Sequence, residues 1–561
     1  MLSTVLLAML APNDDPGLRA GIEQYSADRS ILLRKYPLEG TAERNERLAR
    51  FYSDTQRELE ALDFEALGRE GKVDYVLLDA TLQAGLAELK TDQAVWDKVF
   101  ALAPFATQVL GLEAARRDMS RLDPQETAGR LAALAKEIAA ATQGLAAKPK
   151  TEPTARERSE ANRAVQSLGR VRDHFDAWFK FYSGYDPMFT WWCSAPGKEV
   201  GNRLEAFQSL VRERLVGVAA DDKTTIIGFP IGREALEAAL RAEMMPYTTD
   251  ELLAAADREF AWCEAELARA AKEMGYDRPM DAIEAVKKEF VPPGEQPALV
   301  KGLAEEAVAY LEEHDLVTIP PLCKESWRME MLTPEQQLQS PFFLGGETIM
   351  VSYPTDGMSH EAKMMSLRGN NPYFSRATVQ HELIPGHHLQ GFMLARHRPY
   401  RSAFGTPFWI EGWALYWEML LWDLGFPKTA AQKVGMLFWR MHRCARIQFS
   451  LRFHLGEMTP QECVDLLVEK VGHERENALA EVRRSFAGSY PPLYQAAYML
   501  GGLQLMALKR GLVDSGKMSY REFHDSILQG NQMPIAAVAA RLTGEGLTRG
   551  FRPAKLPLDR P

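Results

Sequence analysis

Residues 380–390 read QHELIPGHHLQ, and this stretch decides how the rest of the chain is interpreted. Its dipeptide His381-Glu382 opens the pattern His-Glu-x-x-His, in which two histidines one helical turn apart bind one zinc ion and the glutamate acts as a base on the metal-bound water. No histidine follows at the fourth position, and the next ones are His387 and His388. On a straight helix the step from His381 to His388 rises about 10 Å, too far for two ligands of one metal.

Pro385 offers a way to bring two histidines together. A proline lacks the N–H that would bond to the carbonyl of residue 381, and its ring clashes with the preceding turn. Gly386 then tolerates backbone conformations that are closed to other residues. We therefore predict that the helix opens between Ile384 and His387, so that two extra residues loop out and His387 returns beside His381.

A second motif supplies the remaining ligand of the predicted site. Residues 408–418 read FWIEGWALYWE, and Glu411 lies 24 residues beyond His387. Zinc sites with two histidines and one glutamate take the glutamate from a second helix. A solvent-facing glutamate on an amphipathic helix is the alternative, but the neighbours of Glu411 are apolar and aromatic. Glu418 lies on the same face two turns later, where it would orient a ligating histidine or form a surface ion pair.

Composition indicates an ordinary globular protein with a large core. Of the 561 residues, 46% are hydrophobic and 25% are charged, and the net charge is −10. There is no long basic run, so nucleic acid is not an expected partner. The five cysteines are scattered without a Cys-x-x-Cys pair, which predicts buried free thiols rather than a disulfide framework.

The N-terminus and the apolar runs bear on location. Residues 1–11 read MLSTVLLAMLA and resemble a signal-peptide core, although no Lys/Arg region precedes it. An element packed on the body of the protein is the alternative. We expect an exported protein, periplasmic or extracellular, rather than a cytoplasmic one. No apolar run reaches the roughly 20 residues that span a bilayer, so no membrane span is expected.

Periodicity predicts a mainly α-helical fold. Apolar residues recur at three- and four-residue spacing through most of residues 12–330, the predicted N-terminal helical half. Residues 331–561 form the predicted catalytic half, which carries the metal site in one continuous unit with the first. Residues 348–353 (TIMVSY) are the clearest strand. We expect one small sheet beside the active-site helix, with a strand edge that could pair with an extended peptide.

The combined motifs resemble one bacterial family. The segments HELIPGHHLQ, FWIEGWALYWE, PPLYQAAYMLGG and REFHDSILQGNQMP are similar to those of the bacterial domain-of-unknown-function 885 family, over most of the chain. EGWALYWE also resembles a segment of aminopeptidase-N-like enzymes whose first glutamate binds zinc. The resemblance implies a gluzincin-type zinc-metallopeptidase fold, multi-helical and two-lobed around a deep cleft, and peptidase activity.

A tyrosine near the end of the chain is predicted to stabilise the oxyanion that hydrolysis creates. Tyr498 is the candidate because it resembles the late-chain tyrosine of related cleft peptidases. Tyr490 and Tyr494 are alternatives, and for each of them core packing remains an equally good interpretation.

Other residues could help to bind substrate or hold a ligand in place. Arg483 and Arg484 could bind a substrate carboxylate, although a solvated pair is the simpler interpretation. His524 sits among apolar neighbours, which favours a buried structural histidine over one that lines the cleft. His388 is either the second zinc ligand in place of His387 or a neighbour of the site.

The predicted reaction is peptide hydrolysis by one Zn²⁺. His381, His387 and Glu411 bind the metal, Glu382 deprotonates its water, and Tyr498 stabilises the oxyanion. One alternative is a zinc amidase or esterase that acts on a small metabolite. Another is a helical binding protein without catalysis, which Glu382 argues against because a structural zinc needs no free carboxylate beside it. The sequence leaves exo- or endopeptidase action, side-chain preference and oligomeric state open.

Overall fold

A computed structural model describes residues 18–149, 152–219, 222, 225–337, 343–487 and 490–559. The predicted signal segment, residues 1–11, lies outside these ranges. Within the described chain, no helix combines the length and the apolar character needed to cross a membrane. All five cysteines are buried and free, as predicted.

The chain forms two compact units. The first contains Glu23–Leu62 and Asp79–Pro230, and the second contains Asp63–Leu78, residues 18–22 and residues 231–559. The main border along the chain therefore lies at residues 230 and 231, whereas the predicted catalytic half begins at residue 331. Every residue of the predicted site belongs to the second unit.

The first seven helices run from residue 19 to residue 211. They are α1 (Arg19–Lys35), α2 (Ala42–Glu60), α3 (Arg69–Leu102), α4 (Ala106–Arg117), α5 (Pro124–Ala147), α6 (Ala155–Tyr182) and α7 (Pro187–Val211), which a π-helical turn, Arg212–Val216, extends. The first unit packs its own core around side chains such as Trp96, Phe175 and Trp178. Thr154 and Glu157 form a capping box at the start of α6.

The remaining helices belong to the second unit. They are α8 (Arg233–Ala242), α9 (Thr249–Glu273), α10 (Pro279–Lys288), α11 (Gln296–Glu313), α12 (Pro321–Ser326), α13 (Pro334–Gln337), α14 (His360–Gly369), α15 (Pro372–Glu382), α16 (His387–Leu394), α17 (Pro407–Asp423), α18 (Ala430–Leu455), α19 (Pro460–Leu466), α20 (Arg475–Phe486), α21 (Tyr494–Lys509), α22 (Tyr520–Gly530) and α23 (Ile535–Thr543). A 3₁₀ turn, Pro399–Phe404, precedes α17, and π-helical turns follow α19 (Leu467–Val471) and α21 (Arg510–Asp514). The mainly helical prediction is confirmed.

The small sheet has two parallel strands, β1 (Arg328–Met331) and β2 (Thr348–Val351). The predicted strand is thus present, but it ends at Val351. Its second edge is not open along its length, because Leu344 and Met350 exchange both backbone hydrogen bonds, at 3.0 and 2.8 Å. Both sides of β2 are thus occupied at Met350, by β1 and by residue 344, and pairing of the strand with an extended peptide stays a prediction for its other positions.

The sheet packs directly against α15. Ile349 and Val351 of β2 share one hydrophobic cluster with Val379 and Leu383. These apolar contacts fix the position of the end of α15 against the sheet. The sheet consequently lies beside the helix that carries His381, as predicted.

Helices α17 and α21 approach each other unusually closely. A Cβ atom on Gly501 would lie 2.0 Å from the carbonyl oxygen of Phe408, and one on Gly412 would lie 2.7 Å from Cα of Gly501. Only glycine fits at this crossing. The close contact places the start of α21, with its tyrosines, beside Glu411 on α17.

Candidate metal site

The stretch 380–390 is two helices rather than one. Helix α15 ends at Glu382 and α16 begins at His387. Between them Leu383 has φ −103° and ψ −108°, and Gly386 has φ −76° and ψ −133°, both outside the helical region. The helix opens before His387 as predicted, but the opening begins at Leu383, one residue earlier than expected.

Gly386 lets the chain turn back tightly on the end of α15. Its N–H donates to the carbonyl of Gln380 at 3.0 Å. A Cβ atom at this position would lie 1.7 Å from the carbonyl oxygen of His381. No side chain fits there, so the glycine is what allows α16 to begin beside His381.

Three side chains from three helices converge as a result. His381 on α15, His387 on α16 and Glu411 on α17 each present a ligand atom, and these atoms all lie within 4.8 Å of one another. Oε2 of Glu411 is 3.2 Å from Nε2 of His387 and 3.7 Å from Nε2 of His381. This oxygen is buried and accepts no hydrogen bond from the described residues.

Further groups orient the two imidazoles. Nδ1 of His381 lies 2.7 Å from Oε1 of Glu418, and Nδ1 of His387 lies 3.3 Å from Oε1 of Gln390. With both Nδ1 atoms engaged, both Nε2 atoms point toward Glu411. A carboxylate that holds the distal nitrogen of a histidine is the usual support of a metal ligand.

His388 points away from this cluster. It is buried, and its Nε2 lies 2.8 Å from the carbonyl oxygen of Cys323. Of the two candidates for second ligand, the structure places only His387 beside His381. The side chains of His387 and His388 point in different directions because successive residues on a helix are rotated by about 100°.

Glu382 lines the same cavity, which has a volume of about 210 Å³. Its carboxylate lies against the backbone of Gly345, where a Cβ atom would come within 2.1 Å of Oε2. Burial raises the pKa of Glu382, and the nearby His381 and His387 only partly offset this effect. The cavity therefore holds a carboxylate with an increased affinity for a proton beside the three converging groups.

Mutual charge interactions outweigh burial in setting the pKa values of Glu411 and His387. Burial alone would raise the pKa of Glu411, but His387 and His381 outweigh it and hold that pKa well below its usual value. Burial lowers the pKa of His387, yet Glu411 outweighs it and raises the pKa to about 9. Each partner thus stabilises the charged form of the other.

The candidate tyrosines all line the cavity, in different positions. The ring of Tyr498 lies 6.0 Å from that of His381 and nearly parallel to it. The hydroxyl of Tyr494 donates to Oε1 of Glu411. Burial and Glu411 raise the pKa of Tyr498 although nearby arginines oppose the rise. Tyr490 stacks on Tyr494 at 4.2 Å.

Three arginines line the cavity, only one of which was predicted there. Arg484 is there with its guanidinium against Glu481 at 2.6 Å, so its interpretation as a solvated residue is wrong. Arg483 is not among the lining residues. Arg443 and Arg446 of α18 also line the cavity and were missed. Their three-residue spacing places them on one face of α18, but Arg440 shares this spacing and pairs with Glu259 instead.

His524 lies in the core and not in the cavity. Its Nδ1 is 2.6 Å from the carbonyl oxygen of Leu316, and its Nε2 is 2.7 Å from the hydroxyl of Tyr416. Burial lowers its pKa to about 3, so the imidazole is neutral. This agrees with the structural role favoured for His524, and the option that it contacts substrate is wrong.

The fold and the site together define a mainly helical protein with one small parallel sheet and a cluster of two histidines and one glutamate on three helices. A family model described as "Bacterial protein of unknown function (DUF885)" matches residues 28–542. The chain belongs to this family. None of the curated proteins matches it.

Two solved structures have the same fold. One is a "putative lipoprotein of unknown function" from Shewanella oneidensis, with a TM-score of 0.68 and 17% identity over 93% of this chain and 98% of that one. The other is a "putative lipoprotein" from Colwellia psychrerythraea, with a TM-score of 0.58 and 15% identity over 94% of this chain and 97% of that one.

Proposed function

We propose that this protein is a zinc-dependent hydrolase that cleaves peptides. The observation that carries the proposal is the convergence of His381, His387 and Glu411. The two histidines are six residues apart rather than the usual four, so they meet only because the helix between them is broken. A cluster brought together by a break in a helix and a side-chain-free glycine is a built arrangement rather than an accident of surface charge.

The donor set fits zinc. Two imidazole nitrogens and one carboxylate oxygen are the ligands of catalytic sites that keep a fourth position open. The ligand atoms lie within 4.8 Å of one another, compatible with bonds of about 2 Å to a central ion. Oε2 of Glu411 has no other partner among the described residues, and Glu418 supports His381 from behind. Bound zinc would supply a Lewis acid that lowers the pKa of a water molecule to about 7 and polarises a carbonyl group.

Glu382 is the general base in this proposal. It follows the first ligand directly in sequence and lines the same cavity. Its raised pKa suits a group that must accept a proton from the attacking water and later deliver it to the leaving amine. The backbone of Gly345 beside it restricts where the carboxylate can lie.

The tyrosines divide the remaining roles. Tyr498 faces the cavity beside His381, and its raised pKa keeps the hydroxyl protonated as a donor to the developing oxyanion. Tyr494 already donates to Glu411, so it positions that carboxylate. Donors that are fixed before the reaction cost no reorganisation when the charge develops.

Peptides are the proposed substrates because of the family resemblance, which implies a gluzincin-like peptidase fold with a deep cleft. An exported location belongs to the same proposal. It is supported by the two proteins of the same fold that are described as lipoproteins and by the signal-like pattern of residues 1–11.

Metal analysis combined with Glu382→Gln tests the proposal. The purified protein should bind one equivalent of zinc and hydrolyse peptides from a mixed pool, as followed by mass spectrometry. The variant should keep the zinc and lose hydrolysis by at least about 10²-fold, the lower range for a general base. Glu361→Gln, an exposed glutamate on α14, is the matched control. Unchanged turnover in Glu382→Gln would show that Glu382 is not the general base. A protein without affinity for zinc would contradict the whole proposal.

A further inference from the structure

Three arginines form one wall of the cavity. Arg443 and Arg446 on α18 and Arg484 on α20 all line it. Their side chains are only 6%, 2% and 17% exposed. A guanidinium group stays charged in any protein environment, so this wall is a concentration of positive charge withdrawn from water. Such a concentration needs anions nearby.

Fewer carboxylates than guanidinium groups are in direct contact with this wall. Arg443 lies 3.3 Å from Glu418, while Arg446 and Arg484 share Glu481 at 2.7 and 2.6 Å. Two carboxylates thus contact three guanidinium groups, and one of the two, Glu418, also contacts His381. Nε of Arg443, Nη1 of Arg446 and Nε of Arg484 have no hydrogen-bond partner among the described residues.

Aromatic rings hold the guanidinium groups in place. Those of Arg443 and Arg446 lie 4.8 and 4.5 Å from the centre of the Tyr498 ring, and that of Arg484 lies 5.8 Å from the Tyr490 ring. Stacking on aromatic faces fixes the orientation of the planar donors. Preorganised forks of this kind are suited to a planar carboxylate.

The arginine wall is also close to the candidate metal ligands. His381 and Arg443 contact the same oxygen, Oε1 of Glu418, at 2.7 and 3.3 Å. A single oxygen atom of Glu418 thus bridges the candidate ligand His381 and Arg443 of the arginine wall. In a peptide the last carbonyl group and the terminal carboxylate belong to adjacent residues, whose Cα atoms are about 3.8 Å apart. Since the candidate ligands and the arginine wall also line one cavity of about 210 Å³, the end of a single peptide can reach both.

We propose that Arg443, Arg446 and Arg484 bind the free C-terminal carboxylate of a peptide, so that the enzyme removes residues from the C-terminal end. This rests on the proposed function for the cleavage step. The binding step concerns the arginines alone. An acidic side chain offers the same carboxylate chemistry, and the test separates the two sources.

Binding is measured first, in zinc-loaded Glu382→Gln, where the peptides stay intact. Calorimetry compares an N-acetylated peptide ending in alanine with its C-terminal amide, and with an amide that carries glutamate as its penultimate residue. The free acid should bind at least about tenfold tighter than either amide, as expected for loss of a charge-assisted hydrogen bond. Equal affinity for acid and neutral amide overturns the proposal. Equal affinity for the glutamate-containing amide overturns the assignment to the chain terminus.

Two neighbouring arginines provide a matched pair of variants. Arg484→Gln should lose most of the preference for the free acid, and Arg484→Lys should recover part of it, because lysine keeps the charge but not the fork. Arg483→Gln, which removes the same charge one residue away from the cavity lining, should keep the full preference. A retained preference in Arg484→Gln contradicts the role of this residue. The acid and amide comparison is repeated in metal-free Glu382→Gln, where a carboxylate cannot gain affinity by binding zinc. A preference for the acid that disappears there overturns the proposal, even if Arg484→Gln does not fold.

Cleavage by the wild-type protein separates the two claims. If the acid is preferred in binding but no peptide is cleaved, the hydrolase proposal fails and the carboxylate site stands. If peptides are cleaved but acid and amide are cleaved equally well, the carboxylate site fails and the hydrolase proposal stands. N-acetylated free acids that lose C-terminal residues, read by mass spectrometry, support both.

Discussion

Nδ1 of His381 lies 2.7 Å from Oε1 of Glu418, which follows Glu411 by two turns of the same helix. One helix thus carries a candidate ligand and the group that orients another. We expect Glu418→Gln to lower zinc affinity about 10–100-fold, the usual effect of losing such support. Competition with a chelator measures the change. Asp423→Asn, at the exposed end of the same helix, should leave it unaltered. Equal affinity in the two variants would contradict the orienting role.

Adjacent histidines provide a direct test of the ligand set. His387→Asn should abolish stoichiometric zinc binding because it removes one of three converging donors. His388→Asn should keep the zinc, since that imidazole faces the carbonyl of Cys323. It should lower the free energy of unfolding by about 1–3 kcal/mol through the buried hydrogen bond it loses. Zinc loss in His388→Asn alone would reverse the assignment.

The turn between the two helices depends on a glycine. In Gly386→Ala the new Cβ would meet the carbonyl oxygen of His381 at 1.7 Å, so the segment must shift. We expect a loss of about 1–3 kcal/mol in stability and a weaker metal site. Gly391→Ala in α16 is the control, because nothing lies within 4 Å of its Cβ. Thermal unfolding with and without zinc distinguishes the variants, and a fully stable Gly386→Ala would argue against a tight turn.

The contact between α17 and α21 should also fail to accommodate a side chain larger than that of glycine. Gly501→Ala places a methyl group 2.0 Å from the carbonyl oxygen of Phe408. Separating the helices would move Tyr494 away from Glu411, so both stability and zinc affinity should fall, the former by about 1–3 kcal/mol. Gly511→Ala has open space around it and should have little effect. Denaturant titrations compare the unfolding midpoints of the two variants. Identical midpoints would contradict the need for glycine at position 501.

Acid should weaken the protein through Glu481. Burial raises the pKa of this carboxyl group, but Arg446 and Arg484 outweigh it and lower the pKa to about 2. The unfolded chain binds a proton near pH 4.3, so the stabilisation is complete above that pH and is lost as the pH falls toward 2. It amounts to at most about 3 kcal/mol. The stability difference between wild type and Glu481→Gln should therefore shrink below pH 4.3. Glu476→Gln, exposed on the same helix, should show no such trend.

Local chemistry explains what the sequence could predict. Pro385 and Gly386 are adjacent and act through the backbone within one turn, so the opening of the helix followed from the sequence. The choice between His387 and His388 did not, because it depends on the direction in which α16 leaves the turn. That direction is set by the packing of Leu383 on the sheet, a contact between distant parts of the chain.

Other features of the site depend on contacts between distant parts of the chain. Arg443 and Arg446 belong to no motif, and their place in the cavity arises from the packing of α18 against α15 and α21. Tyr494 and Tyr498 share one face of a helix, so the sequence could not say which hydroxyl reaches Glu411. The occupied edge of β2 depends on the return of residue 344, which no pattern in the strand itself records.

The break after Glu382 also changes the electric field at the site. In an unbroken helix this glutamate would lie mid-helix, whereas here it is the last residue of α15. The C-terminal end of a helix carries about half a negative charge, which disfavours a carboxylate, the same direction in which burial acts on Glu382. His387 is the first residue of α16, where the positive end of the helix opposes the protonated imidazole that Glu411 favours. One interruption thus places the proposed base and the proposed ligand at helix ends of opposite charge.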